Sequence, residues 1–162
     1  MNTIVTHTGG ADETLALAAR VGGLLRGGDV LALSGDLGAG KTVFAKGIAR
    51  ALGVRDAVVS PTFTVVREYT GTMRFVHVDV YRLDRVQELH DVGWDDALDG
   101  ESVALVEWAD RVGPLLPVDR LEVRIEHGDA DDDRVITFSP MGASWPARCD
   151  ALAAVATTHE AS

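Results

Sequence analysis

The chain has 162 residues, enough for one domain with a substantial core and too few for two large ones. A formal net charge of −10 with only two lysines, Lys41 and Lys46, argues against extended direct binding of nucleic acid by this chain alone, because such binding draws on Lys and Arg for phosphate neutralisation. A mean hydropathy of +0.09, no apolar run near ~18 residues and a polar start at Met1-Asn2-Thr3 point to a cytoplasmic protein with no membrane segment or signal peptide, and the single Cys149 excludes an internal disulfide.

Ile4-Val5-Thr6-His7 reads as a first strand. A helix from about Ala11 follows, with Leu17, Val21, Leu24 and Leu25 on one face and Asp12 and Glu13 near its positive end. Val30-Leu31-Ala32-Leu33 is a short buried strand entered from the Gly27-Gly28-Asp29 turn. It runs into Gly35-Asp36-Leu37-Gly38-Ala39-Gly40-Lys41-Thr42, which completes the pattern G-x-x-x-x-G-K-[ST]. Phe44, Ile48 and Leu52 then mark an amphipathic helix stopped by Gly53.

Strand, loop and helix in that order are the context in which this pattern binds a nucleoside triphosphate. Glycines let successive backbone N–H groups turn inward and form an anion nest at the positive end of the helix. Lys41 would hold the β- and γ-phosphates, and the Thr42 hydroxyl would sit on Mg²⁺. ATP and Mg²⁺ are therefore the expected ligands, with Gly35 through Thr42 forming the cradle. The guanine-reading N-K-x-D is absent, since the only Asn is Asn2.

Beyond the helix, Pro61 restricts itself and Ser60 to extended or turn geometry. Ser60 and Thr62 lie where nucleotide-responsive proteins place a hydroxyl that senses Mg²⁺ and the γ-phosphate, although on these residues alone an ordinary proline turn is the preferred reading. Phe63 to Tyr69 and Met73 to Val80 alternate across Thr70-Gly71-Thr72, predicting an antiparallel hairpin. Its second strand sends Phe75, His77, Asp79 and Tyr81 to one face and Val76, Val78 and Val80 to the other.

Arg82 to Leu98 reads as weakly helical with a break at Gly93 and an acidic, solvated surface. Val103-Ala104-Leu105-Val106 is an apolar strand ending in Glu107, the position from which a second acid holds Mg²⁺ or its water. Asp79 is the competing acid, and these residues alone do not rank the two as catalytic base. Trp108 is read either as stacking on adenine or as filling a core edge.

Leu121 to Glu126 and Arg134 to Phe138 form a second predicted hairpin across the acidic run from Gly128 to Asp133. The remainder, 141–162, reads as a C-terminal tail, either disordered or carrying a short helix through Ala147 to Ala156. The sum is an α/β chain, P-loop NTPase-like, with a mostly parallel sheet flanked by helices and antiparallel hairpin additions over residues 1–140.

Four motifs in order, Gly35 to Thr42, Ser60-Pro61-Thr62-Phe63-Thr64, His77-Val78-Asp79-Val80-Tyr81-Arg82-Leu83 and Glu107-Trp108-Ala109-Asp110-Arg111, resemble the bacterial TsaE (YjeE) ATPases. The resemblance runs from the first strand to about Phe138, and residues 141–162 have no counterpart in that pattern. It implies a role in forming N6-threonylcarbamoyladenosine at position 37 of tRNAs that read codons beginning with A. The implied partners are homologues of TsaD, the transferase, and TsaB. It further implies that Lys41 holds phosphate, Thr42 and Glu107 ligate Mg²⁺, Thr62 belongs to a switch, Asp79 is needed for turnover and Trp108 lies near the base. Two other classes share the loop: a small-molecule kinase, which the acid-rich segment 82–100 suits poorly as a lid over an anionic acceptor, and a scaffold that binds ATP without hydrolysing it.

Overall fold

A computed structural model describes residues 3–36, 38–58, 66–81, 88–91 and 93–157. In chain order the elements are β1 (Ile4–Thr8), α1 (Ala11–Gly22), β2 (Val30–Gly35), α2 (Lys41–Ala51), β3 (Val66–Thr70) and β4 (Arg74–Asp79). They continue with α3 (Glu88–Asp91), α4 (Trp94–Ala97), β5 (Val103–Glu107), a 3₁₀ segment (Ala109–Leu115), β6 (Arg120–His127), β7 (Arg134–Met141), a 3₁₀ turn (Pro146–Arg148) and α5 (Cys149–Thr157).

All seven strands join one sheet in the order β1-β7-β6-β2-β5-β4-β3. The four central strands, β6, β2, β5 and β4, are parallel, and antiparallel strands complete both sides. This is the mostly parallel α/β sheet with hairpin additions that the sequence predicts. The unbroken apolar runs of β2 and β5 follow from their place at its centre, where both faces are covered. Leu31, Leu33, Phe75, Leu105, Val123 and Phe138 pack on one face beneath α1 and α2, and Ala32, Val76, Val78 and Val106 pack on the other against Leu89, Trp94 and Val112.

Close packing sets the helix pair over the first face. A Cβ at Gly47 of α2 would collide with the Leu15 carbonyl and the Ala18 methyl of α1, so glycine lets the two backbones approach. The predicted helical face of α1 is met by Leu17 and Val21; Leu24 and Leu25 lie past its end at Gly22 but still pack on the core. Gly93, predicted as a break, caps α4 at a φ of 94°. The segment around it is less solvated than its acids suggest, because Leu89, Trp94 and Ala97 are buried. The 3₁₀ segment after β5, with Pro114 inside it, has no periodic signature in the sequence.

Residues 145–157 belong to the same core. Trp145 and Leu152 are buried on the α1 side of the sheet. The Arg148 guanidinium lies 3.8 Å from the Trp145 ring centroid and forms a two-pronged pair with Asp29, at 2.6 and 2.9 Å. The Thr6 hydroxyl of β1 donates to the Ala156 carbonyl at 2.8 Å, and Arg20 Nε of α1 donates to Val155 at 3.0 Å.

Candidate functional site: a P-loop between two carboxylates and a hairpin arginine

β2 delivers the glycine-rich loop at the carboxyl end of the parallel strands, where open α/β sheets bind their ligands. Gly35 has a φ of 147°, and a Cβ there would collide with the Ile125 carbonyl of β6. Gly38 and Gly40, at φ 78° and 111°, also lie in the left-handed region that lets the loop curl and open α2. Leu37 lies outside the described residues. Lys41 and Thr42 occupy the first turn of α2, so the lysine rises from the helix's positive end.

Lys41 is 5% exposed, and its ammonium donates to the carbonyls of Gly35 and Asp36, both at 2.8 Å. Its Nζ also stands 4.1 Å from the centroid of the Trp108 ring. Burial pulls its pKa below the ordinary lysine value of 10.5, while the charges of Glu107, Asp79, Asp36 and Asp110 act in the opposite direction. The ammonium is thus a buried cation acted on by four carboxylates, with its own loop carbonyls as hydrogen-bond partners.

The two acids stand on neighbouring strands. Leu33 of β2 pairs with Glu107 of β5, and Glu107 pairs in turn with Asp79 of β4. Both carboxylates thus stand at the carboxyl ends of central strands, the end from which β2 enters the loop. Glu107 is 2% exposed and accepts a hydrogen bond from Nε2 of the fully buried His77. Nδ1 of His77 has no partner among the described residues. Asp79 accepts from the Tyr81 backbone N–H at 2.9 Å. The strand alternation puts His77 on the same face as Asp79 but does not name Glu107 as its partner.

Trp108 follows Glu107 at a φ of 60°, left-handed for a residue other than glycine. That backbone turns its ring under Lys41 and 4.7 Å from the Tyr81 ring. Arg111 spans both rings and donates to the Tyr81 carbonyl at 3.0 Å. Ser60, Thr62 and Arg82 lie outside the described residues.

Arg134 gave no signal in the sequence. From the start of β7 its Nε donates to the Ala39 carbonyl at 2.9 Å, and its other nitrogens reach Gly38, Asp131 and Asp133 carbonyls. The guanidinium therefore ties the P-loop to the β6–β7 turn across 95 positions of sequence. No motif spacing reports such a contact.

Oxygen donors from Thr42, Glu107 and Asp79 suit Mg²⁺, which is held by one or two carboxylates together with phosphate oxygens and water. Among the described residues no three His, Cys, Asp or Glu side chains converge as a self-sufficient metal cage. None of their helices is long and apolar enough to cross a membrane.

The profile of the family described as "Threonylcarbamoyl adenosine biosynthesis protein TsaE" matches residues 8–136. The chain belongs to the TsaE family. A Bacillus subtilis protein named tRNA threonylcarbamoyladenosine biosynthesis protein TsaE is 42% identical over 153 residues, covering 94% of this chain and 95% of its own. A Streptomyces coelicolor protein of the same name is 43% identical over 136 residues, covering 80% and 91%. The crystal structure of Bacillus subtilis YdiB superposes with a TM-score of 0.81 at 38% identity, covering 94% of this chain and 95% of that one. Coverage of 94% leaves at most about 10 residues of this chain outside the alignment with the Bacillus subtilis relative, so that alignment reaches into 141–162. The family profile ends at residue 136, so 141–162 lies outside that pattern as the sequence reading has it; within that segment, the buried Trp145 and Leu152 and helix α5 exclude the disordered alternative for residues 145–157.

Proposed function

We propose that this chain is an ATP-binding, slowly hydrolysing P-loop ATPase that serves the formation of N6-threonylcarbamoyladenosine on tRNA, acting in the cytoplasm with TsaD and TsaB homologues. The observation that carries the reading is the cluster formed by the Lys41 ammonium, the loop glycines and the paired strand ends at Asp79 and Glu107. In this reading Lys41 and the loop N–H groups hold the phosphates, while Thr42 and Glu107 hold Mg²⁺. Mg²⁺ held by those residues would supply positive charge that offsets the charge of the phosphates. Asp79, on the neighbouring strand end, is the acid that orients or deprotonates the attacking water, and Thr62 belongs to a switch that responds to the γ-phosphate.

Turnover is expected to be slow in isolation. Arg111 is engaged with Tyr81 and Trp108, and Arg134 with the Gly38 and Ala39 carbonyls. A partner would then supply or complete the stabilisation of transition-state charge. Mg²⁺-dependent phosphate release should be low for the chain alone and should rise when the TsaB–TsaD pair is added. The rise should vanish in Lys41→Ala; no response to the pair would sink the partner-coupled reading.

A further inference from the structure

Glu107 ends β5 where a metal-holding acid is expected, but it is a glutamate, with one more rotatable bond than the aspartate common at that position. Its carboxylate can turn further unless something holds it. Phe75, His77 and Asp79 alternate onto one face of β4, and Val103, Leu105 and Glu107 onto the same face of β5, since Phe75, Val103 and Leu105 share one core cluster. The register sets Asp79 beside Glu107 and His77 beside Leu105. His77 thus stands diagonally behind the glutamate, further into the sheet, and its Nε2–H donates to Glu107 Oε2. We propose that His77 is a positioning residue for the metal site, holding the Glu107 carboxylate in the orientation that takes Mg²⁺; the proposal rests on the ATP and Mg²⁺ reading above.

The donor is rigid. Its ring is fully buried and stacks against Phe75, with centroids 6.2 Å apart and planes at 22°. It is also a costly way to fill the core: Nδ1 has no partner among the described residues, and an apolar side chain beside Phe75 and Leu105 would leave no buried nitrogen unpaired. What the imidazole adds over such a side chain is the bond to Glu107.

The tethered carboxylate acts on the phosphate loop. It is 2% exposed, and of the carboxylates acting on the Lys41 ammonium it acts most strongly. With Oε2 engaged by His77, turning the carboxylate breaks a buried hydrogen bond, so the glutamate meets a metal with its conformation already selected and little freedom left to lose. A hydrogen-bond partner behind a metal's ligand is worth about 10–100-fold in metal affinity or activity.

The test measures binding of the non-hydrolysable ATP analogue AMP-PNP to the full chain by calorimetry, once with Mg²⁺ and once with EDTA. The ratio of the two dissociation constants is the metal's contribution. Two variants move the donor without removing polarity. In His77→Gln the amide nitrogen falls where Nε2 stands, and in His77→Asn it falls where Nδ1 stands. His77→Asn should cut the metal's contribution by about tenfold or more, while His77→Gln keeps most of it and affinity in EDTA stays the same in both. Unchanged EDTA affinity also shows that the variants fold. A metal contribution undiminished in His77→Asn would overturn the proposal, and so would a glutamine variant as impaired as the asparagine one. Affinity lost equally in EDTA and in Mg²⁺ would overturn it too, since the histidine would then serve the fold and not the metal. If the unaltered chain gained nothing from Mg²⁺, the metal reading itself would fall, which is a different result.

Discussion

His77 and Glu107 form a buried hydrogen-bonded pair directly beside the P-loop lysine, the histidine on β4 and the carboxylate at the end of β5. Both side chains are almost wholly removed from water, so each depends on the other for the cost of its burial. His77→Ala should lower folding stability by about 3–5 kcal/mol, because it leaves the Glu107 carboxylate buried without that partner. Adding Glu107→Leu should recover part of the loss. Urea denaturation of the single and double variants measures both, and a His77→Ala variant as stable as the parent would refute the assignment.

Arg134 is expected to act on affinity more than on folding, since it is only half-buried and its partners are loop carbonyls. Arg134→Ala removes charge-assisted bonds, each worth about 1.5–3 kcal/mol, from the contact between loop and turn. Equilibrium binding of ADP should weaken by about tenfold or more, with the melting temperature shifting little. A variant with unchanged affinity would show that the loop holds its shape without the tie.

The sign of the pH dependence at Lys41 follows from its burial. Its pKa in the free protein lies below 10.5, and a bound polyphosphate, which favours the ammonium, raises it. Nucleotide affinity should therefore be full below the free-protein value and decline as pH climbs through it, starting at lower pH than an ordinary exposed lysine would give. In the absence of nucleotide the same depressed value makes the charged lysine a cost to folding. This cost is present at low pH and fades as pH rises through the native value toward 10.5. Calorimetric titration of ADP between neutral and alkaline pH checks the first, and denaturation over the same range checks the second. Affinity flat across that range would contradict the assignment of Lys41 as the phosphate ligand.

The carboxyl-terminal segment should prove necessary for folding. Deleting residues 145–162 removes the buried Trp145 and Leu152 and strands Asp29 without Arg148. Loss of a buried tryptophan alone costs about 3–5 kcal/mol, a large share of the about 5–15 kcal/mol that holds a typical domain together. Arg148→Ala should reproduce about 3–5 kcal/mol of that loss through the unpaired aspartate. Thermal denaturation of both forms is the measurement, and a truncated chain with the parent's melting temperature would count against this reading of the core.

Local signals carried most of the architecture. The strand, glycine loop and helix from Val30 to Ala51 were legible because turn chemistry, apolar run and helical period all fall within about twenty residues and agree. Both hairpins were legible for the same reason. The 3₁₀ segment after Glu107 was not, because it has no period to detect and depends on the left-handed backbone of Trp108. At the site, sequence could name Lys41, Asp79 and Glu107 from their positions at element ends. It could not pair Glu107 with His77, or bring Arg134 to Ala39, because those contacts arise only when β5 meets β4 and β7 approaches the loop.

The contact between Lys41 and Trp108 also makes the protein its own optical gauge. Trp94 is buried in the cluster on the far face of the sheet, against which Trp108 also packs, and Trp145 lies among the residues packed on α1. Of the three, only Trp108 has the Lys41 ammonium over its ring, at 4.1 Å. An anion that draws the ammonium away changes the field across that indole. With Trp94 and Trp145 replaced by phenylalanine, the emission of the remaining indole would follow the position of Lys41 in real time, without any added dye.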